Sequence, residues 1–228
     1  MFFDYYYLVL VMPAILFALW AQAQVSGTFA KFSKVRTMRG LTGAQAAEAV
    51  LRAGGVYDVR IEHISGNLTD HFEPRAKVIR LSDSVYDSPS VAAVGVAAHE
   101  AGHAVQHAQD YFPIKVRSAI IPVTQIGSFL ALPLIIIGLL LSSLNLVYLG
   151  IAFFGLSTVF QAVTLPVEFD ASRRAIAALG SEGLLSPEEL PGAKKTLRAA
   201  ALTYVAALAV SLAQLLRLLL VFGGRRDD

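Results

Sequence analysis

An α+β membrane protein is the fold class the sequence predicts: about four transmembrane helices, plus a small polar domain with a short mixed sheet and a helix carrying His-Glu-x-x-His. Three observations predict it. The chain is 55% hydrophobic and only 16% charged over 228 residues, with positive mean hydropathy, too apolar for a soluble domain of this size. Its long charge-poor runs flank one polar region in which residues alternate with strand periodicity. Within that region, Ala97-Ala98-His99-Glu100-Ala101-Gly102-His103-Ala104-Val105 sets two histidines four positions apart.

Residues 1–28 form the expected N-terminal anchor. Tyr5 to Ala30 carries no charge, and its apolar heart, Leu8 to Ala21, is bordered by Tyr5-Tyr6-Tyr7 and Trp20 as interfacial anchors. Ala21-Gln22-Ala23 has the look of a signal-peptidase site. The residues ahead of the apolar run, however, hold Asp4 and no Lys or Arg, so an uncleaved anchor is expected.

Residues 29–117 form the expected polar, zincin-like domain. Thr42 is placed to cap a helix from Gly43 to about Ala53, stopped by Gly54-Gly55. Tyr57 to Ile64 alternates with period two and predicts a half-buried strand, turned by Ser65-Gly66-Asn67. Thr69 to Phe72 and Lys77 to Leu81 predict a hairpin around Glu73-Pro74-Arg75. Val78-Ile79-Arg80-Leu81 is the candidate edge along which an extended peptide could add as a further strand; an interior position is the alternative.

The helix after Ser82–Ser90 carries the chemistry. About 3.6 residues per turn stacks His99 above His103 on one face, the spacing that suits a single Zn2+ ion. Glu100, offset by one residue, can reach a water at the metal without becoming a ligand, and the expected reaction is peptide hydrolysis with Glu100 as base. Val91 to Ala98 is small, apolar and uncharged, so His99, Glu100 and His103 interrupt a buried helix. A cation accounts for all three, whereas a buried carboxylate without a partner is costly.

Ser118 to Val167 contains no Asp, Glu, Lys or Arg, which predicts a transmembrane hairpin over residues 118–165 turned at Ser142-Ser143-Leu144-Asn145, with Pro122 and Pro133 as kink points in its first helix. Two crossings return the chain to the side of His99. There Glu168 is the next available carboxylate and the expected third ligand, on a helix running to about Leu179 with Pro166 in its first turn. Asp170 is the expected support behind the ligands, and Arg173 and Arg174 are interfacial cations able to neutralise it. Residues 166–198 thus form a third-ligand helix and connector, and residues 199–224 a last span with Arg217 snorkelling near its far end. Basic residues crowd the first loop and the Glu168 loop while the hairpin turn has none. This places the site in the cytoplasm of a multi-pass protein, although Arg225 and Arg226 argue the other way.

Composition excludes other classes. With no Cys there is no disulfide framework and no thiolate ligand, and no basic patch interleaved with aromatics suggests nucleic acid. A second electrophile is expected among His71, Tyr111, Arg173 and Tyr204. His107 lies about 80° around the helix from His99, which makes it a packing or supporting histidine rather than a ligand.

Gly40-Leu41-Thr42-Gly43, Tyr57-Asp58-Val59, Ser65-Gly66-Asn67-Leu68-Thr69-Asp70-His71, Arg80-Leu81-Ser82, His99 to His107 and Leu165-Pro166-Val167-Glu168-Phe169-Asp170-Ala171-Ser172 together resemble the bacterial YugP-type neutral zinc metallopeptidases. The resemblance spans nearly the whole chain. It implies a membrane-bound peptidase of the bacterial inner membrane that acts on protein or peptide substrates, membrane proteins among them. It also implies His99, His103 and Glu168 as zinc ligands and Glu100 as base. More distantly the pattern is similar to membrane gluzincins of the HtpX and CAAX-protease kind, in which Glu-x-x-x-Asp follows the third ligand. Here Ser172 stands four positions after Glu168 and the acid falls at Asp170. Two other readings are an intramembrane zinc protease, suggested by the apolar Val91 to Ala98, and a catalytically silent zinc-containing scaffold or chaperone.

Overall fold

The computed structural model describes residues 4–223. Arg225 and Arg226, and the expected end of the last span at Gly224, lie outside them. In chain order the elements are a π-helical segment at Tyr7–Val11, α1 (Met12–Phe32), α2 (Gly43–Ala53), β1 (Arg60–Ile64), β2 (His71–Glu73), β3 (Val78–Ser82), α3 (Val91–Ala108), α4 (Phe112–Leu140), α5 (Leu144–Ser181) and α6 (Leu190–Gly223). Four helices among the described residues are long and apolar enough to cross a membrane: Tyr7–Phe32, Phe112–Leu140, Leu144–Ser181 and Leu190–Gly223.

The chain divides into two compact units. One comprises Met1–Ala21, Val116–Leu165 and Thr203–Asp228. In it Ile135, Val147 and Ile151 bury against Leu218 and Phe222, and Gly150 lets the backbone of α5 approach the Ala131 carbonyl of α4. Hydroxyl pairs stitch the helices where carbon alone would leave polar groups stranded: Ser128 with Ser157, and Thr158 with Ser211 at 2.7 Å. Arg217 does not snorkel freely. Its guanidinium grips the Asp4 carboxylate at 2.7 Å and lies over the Tyr7 ring at 5.3 Å, and this cation holds the Asp4 carboxyl below the usual carboxylate range. A nearby anion is a better partner for a charge in an apolar setting than distant water.

The second unit comprises Gln22–Lys115 and Pro166–Leu202. Its sheet has the order β1-β3-β2, with β1 parallel and β2 antiparallel to β3. The hairpin expected around Pro74 is therefore present, but the edge assignment is corrected: Val78–Ser82 is the central strand. Ile79 and Leu81 are wholly buried there, and full burial of each side chain is worth about 1.5–3 kcal/mol, which fixes this strand inside. The free edges belong to β1 and β2.

Helix α2 begins in a capping box, Thr42 accepting from the Gln45 N–H while the Gln45 side chain accepts from the Thr42 N–H. Helix α3 begins at Ser90, whose hydroxyl accepts from the Ala93 N–H. The chain leaving α1 is zipped to this entry by the Arg36–Ser90 bridge and the Val91 N–H to Val35 carbonyl bond. Glu189 secures the same loop, accepting from the Met38 N–H at 2.6 Å and the Ser186 N–H at 2.8 Å. The core joins Ala46, Ala47, Val50 and Leu51 of α2, Ile79 and Leu81 of β3, the apolar face of α3, Ala175 and Leu179 of α5, and Ala193 and Leu197 of α6.

Helix α5 corrects a second expectation. The third-ligand helix does not start near Pro166; one helix runs from Leu144 to Ser181 with Pro166 inside it. Proline removes one backbone donor at a cost of about 3 kcal/mol. The stripe Val167, Ala171, Ala175 and Leu179, spaced by four and fully buried, provides packing that outweighs the loss. Helix α6 likewise begins at Leu190, well before the apolar run.

Two glycines of α3 set its distance from these helices. A Cβ at Gly102 would lie 2.6 Å from the Ala171 carbonyl oxygen, whereas one at Gly95 would meet Ala193 at an ordinary 3.4 Å. Gly102→Ala is therefore expected to destabilise the chain by about 1–3 kcal/mol through overpacking. Gly95→Ala should leave the thermal midpoint at or above wild type. Thermal unfolding of both variants in detergent checks the contrast.

Candidate metal centre

His99, Glu100 and His103 all lie on α3, and Glu168 lies on α5, one residue after the buried Val167. Because Gly102 admits the α5 backbone, the two helices cross closely enough for side chains to meet. His99 Nε2 is 3.2 Å from Glu168 Oε2, His103 Nε2 is 3.4 Å from the same oxygen, and the two imidazole Nε2 atoms are 3.1 Å apart. Glu168 is 2% exposed, so its carboxylate is withdrawn from solvent beside the two imidazoles.

The separations suit a metal. Four ligands at about 2.0–2.1 Å from a tetrahedral zinc ion stand about 3.3 Å from one another, and the three observed distances bracket that edge. The surrounding hydrogen bonds agree. His103 Nδ1 meets Gln106 Oε1 at 3.1 Å and His99 Nδ1 meets the Ser172 hydroxyl at 3.1 Å, which turns both Nε2 atoms inward. With both imidazoles neutral and protonated on Nδ1, three lone pairs would converge and repel one another. A cation removes that repulsion. Among the described residues these three are the group of His, Cys, Asp or Glu side chains placed to share one ion.

The charges of the cluster answer one another. Burial works against a charged His103, but the Glu168 and Glu100 carboxylates beside it override this and raise its pKa. Burial raises the pKa of Glu100, with His99 and His103 opposing, while Glu168 and Asp70 push the same way as burial. Asp70, at the entry to β2, is thus an acid close enough to influence Glu100. It accepts from the Ser82 N–H at 2.8 Å and the Ser82 hydroxyl at 3.0 Å, and burial raises its own pKa.

The remaining sequence candidates separate. Asp170 is buried but touches neither histidine; it accepts from Gln106 Nε2 at 2.8 Å and pairs with Arg173 and Arg174. Ser172, noted in the sequence as a departure, is the residue against His99. Arg174 also lies over the Tyr111 ring at 5.5 Å. His107 packs edge-on against Phe72 with ring centroids 6.0 Å apart. His71 Nδ1 meets the Thr69 carbonyl oxygen at 2.9 Å, and Tyr204 falls in the other unit, on α6. Gln106 was not singled out from the sequence. Its signal was a polar amide three residues after His103, on the same helical face, in an otherwise apolar helix.

A helical membrane protein with a largely buried His-His-Glu donor set is the class that fold and site define. The chain belongs to the family described as "Putative neutral zinc metallopeptidase", whose model matches residues 7–223, and zinc is that family's metal. It is 46% identical over 222 residues to "Putative membrane protease YugP" of Bacillus subtilis (strain 168), a match covering 97% of this chain and 99% of that relative. No solved structure matches it.

One consequence concerns pH. A carboxyl group whose folded pKa is raised stabilises the fold fully below its unfolded pKa and loses that contribution as pH rises through the folded value. Asp70→Asn is therefore expected to raise the thermal midpoint at neutral pH. The gain should shrink as the buffer is acidified toward the carboxylate range, which unfolding followed across a pH series checks.

Proposed function

We propose that the protein is a membrane-bound zinc endopeptidase with a zincin-like catalytic unit, in which His99, His103 and Glu168 hold the metal and Glu100 is the general base. The single observation that carries this reading is the convergence of two Nε2 atoms and one carboxylate oxygen from α3 and α5 at 3.1–3.4 Å, with Glu100 next in sequence to one of them. Zinc held by His99, His103 and Glu168 would supply Lewis acidity at the scissile carbonyl and make water a better nucleophile near neutral pH. The chain's residues do the rest. Glu100, whose buried carboxylate is already biased toward accepting a proton, takes one from the attacking water and delivers it to the leaving amine. Ser172 and Gln106 hold the imidazoles in orientation. The substrate is a protein or peptide, membrane proteins included.

The small sheet offers a means of holding it. β2 pairs with β3 on one side, and Phe72 packs on His107 of α3, so the strand beside the motif helix is an edge strand. A peptide lying along it would be bound by backbone hydrogen bonds, with little demand on side chains. An intramembrane mode is less well supported: His107, Gln109 and Asp110 at the end of α3 are exposed and polar. A silent scaffold is disfavoured by the placement of Glu100, a buried carboxylate next in sequence to one of the three proposed ligands.

Glu100→Gln is expected to keep one zinc per chain and lose cleavage of an unfolded protein such as casein by about a hundredfold to ten-thousandfold. Glu168→Ala should lose zinc as well. Metal analysis and proteolysis on the same purified samples check both, and cleavage retained in Glu100→Gln would exclude it as base.

We also infer that the site faces the cytoplasm of the bacterial inner membrane, from the concentration of Lys31, Lys34, Arg36 and Arg39 at and just beyond the end of the first span and of Arg173 and Arg174 near Glu168. The chain has no native Cys, so single cysteines report topology directly. Leu141→Cys, in the hairpin turn, should react with an impermeant maleimide on intact cells or spheroplasts. Met38→Cys should react only after lysis.

A further inference from the structure

We propose that Gln106 is the positioning residue of the metal centre: its side-chain amide fixes the His103 imidazole with Nε2 facing the donor cluster and ties that imidazole to the turn of α5 carrying Glu168. The proposal rests on the zinc-peptidase reading and adds to it a residue that is neither ligand nor base.

Gln106 is wholly buried, and all of its amide is used. Oε1 faces His103 Nδ1 at 3.1 Å, while Nε2 donates to the Val167 carbonyl and to Asp170 Oδ2, each at 2.8 Å. Exchanging the amide ends would set an oxygen against two acceptors, so the network fixes the orientation. Oε1 has lone pairs only, so the proton between it and the ring belongs to His103 Nδ1. In the neutral ring Nε2 is then left with the lone pair a metal requires.

The two donors reach residues on either side of Glu168: Val167 immediately before it and Asp170 two residues after. One amide therefore sets both a ligand on α3 and the local frame of the ligand on α5. Asp170 is itself braced by Arg173 and Arg174, and Arg174 donates to Gln109 Oε1 at 2.5 Å. A continuous line of hydrogen bonds thus runs from a metal ligand to charged groups at the surface. Burying a primary amide in an apolar helix is costly unless every donor and acceptor is matched, and here the matches all converge on the ligands or their flanks.

The test uses the full chain in lipid nanodiscs, stripped of metal and titrated with Zn2+ against a chromophoric chelator, and with Co2+ for its visible ligand-field spectrum. Gln106→Leu should weaken zinc binding about tenfold to a hundredfold and alter the Co2+ spectrum. The isosteric Gln106→Glu keeps an acceptor for His103 but turns a carboxylate toward Asp170, and should also weaken binding; it carries the test should Gln106→Leu fail to fold. Asp170→Asn should weaken zinc binding in the wild-type background yet strengthen it in the Gln106→Glu background, because it restores a donor opposite the new acceptor. A purely structural glutamine would not give that reversal in metal affinity. Zinc affinity of Gln106→Leu within about threefold of wild type, or a double variant that binds no tighter than Gln106→Glu, overturns the proposal. A wild-type chain that takes up no zinc would instead overturn the metallopeptidase reading beneath it.

Discussion

The close crossing of α3 and α5 is the constraint on which the site depends. Imidazole and carboxylate side chains are short, so atoms on two helices come within 3.4 Å of one another only where the backbones nearly touch. At the crossing a glycine faces a main-chain carbonyl, with no room for even one carbon between them. The Gly102 position in His99-Glu100-Ala101-Gly102-His103 thus has a mechanical meaning. It sets the interaxial distance that turns two histidines and a remote glutamate into one donor set. The buried stripe of small residues on α5, Val167, Ala171 and Ala175, has the same origin, since larger side chains would hold the helices apart.

Around this contact the protein tolerates a concentration of buried polar groups that an ordinary helical core would reject. Each group has a counterpart. The Asp170 carboxylate is met by two guanidinium groups and an amide, Glu168 by two imidazoles, and the ring nitrogens facing away from the cluster by Ser172 and Gln106. Two imidazoles and a carboxylate drawn this close together form an arrangement that one divalent cation could share.

Much of this was legible in the chain. Thr42 announced the start of α2, Pro74 the hairpin, and the charge-free runs the spans, because capping, turn chemistry and apolar length are local properties. The errors came where tertiary packing overrode a local rule. Pro166 looked like a helix start because proline ends helices in isolation, yet the buried stripe beyond it carries α5 straight through. Val78–Ser82 looked able to serve as an edge because a short apolar strand reads the same inside a sheet or at its margin, and the pairing of β1 and β2 on either side decided the matter. Arg217 looked like a snorkelling cation because its partner, Asp4, lies at the other end of the chain.

By itself the sequence determined the spacing of His99 and His103, the four apolar spans and the candidacy of Glu168. These follow from helical periodicity, bilayer thickness and the place of Glu168 as the first carboxylate after the hairpin. Only the tertiary structure decided which groups stand behind the three converging side chains. Asp170 reaches the site through Gln106, while Ser172 meets His99 directly. Those partnerships depend on the rotation of α5 against α3, a quantity set by packing across the whole interface and carried by no single stretch of residues.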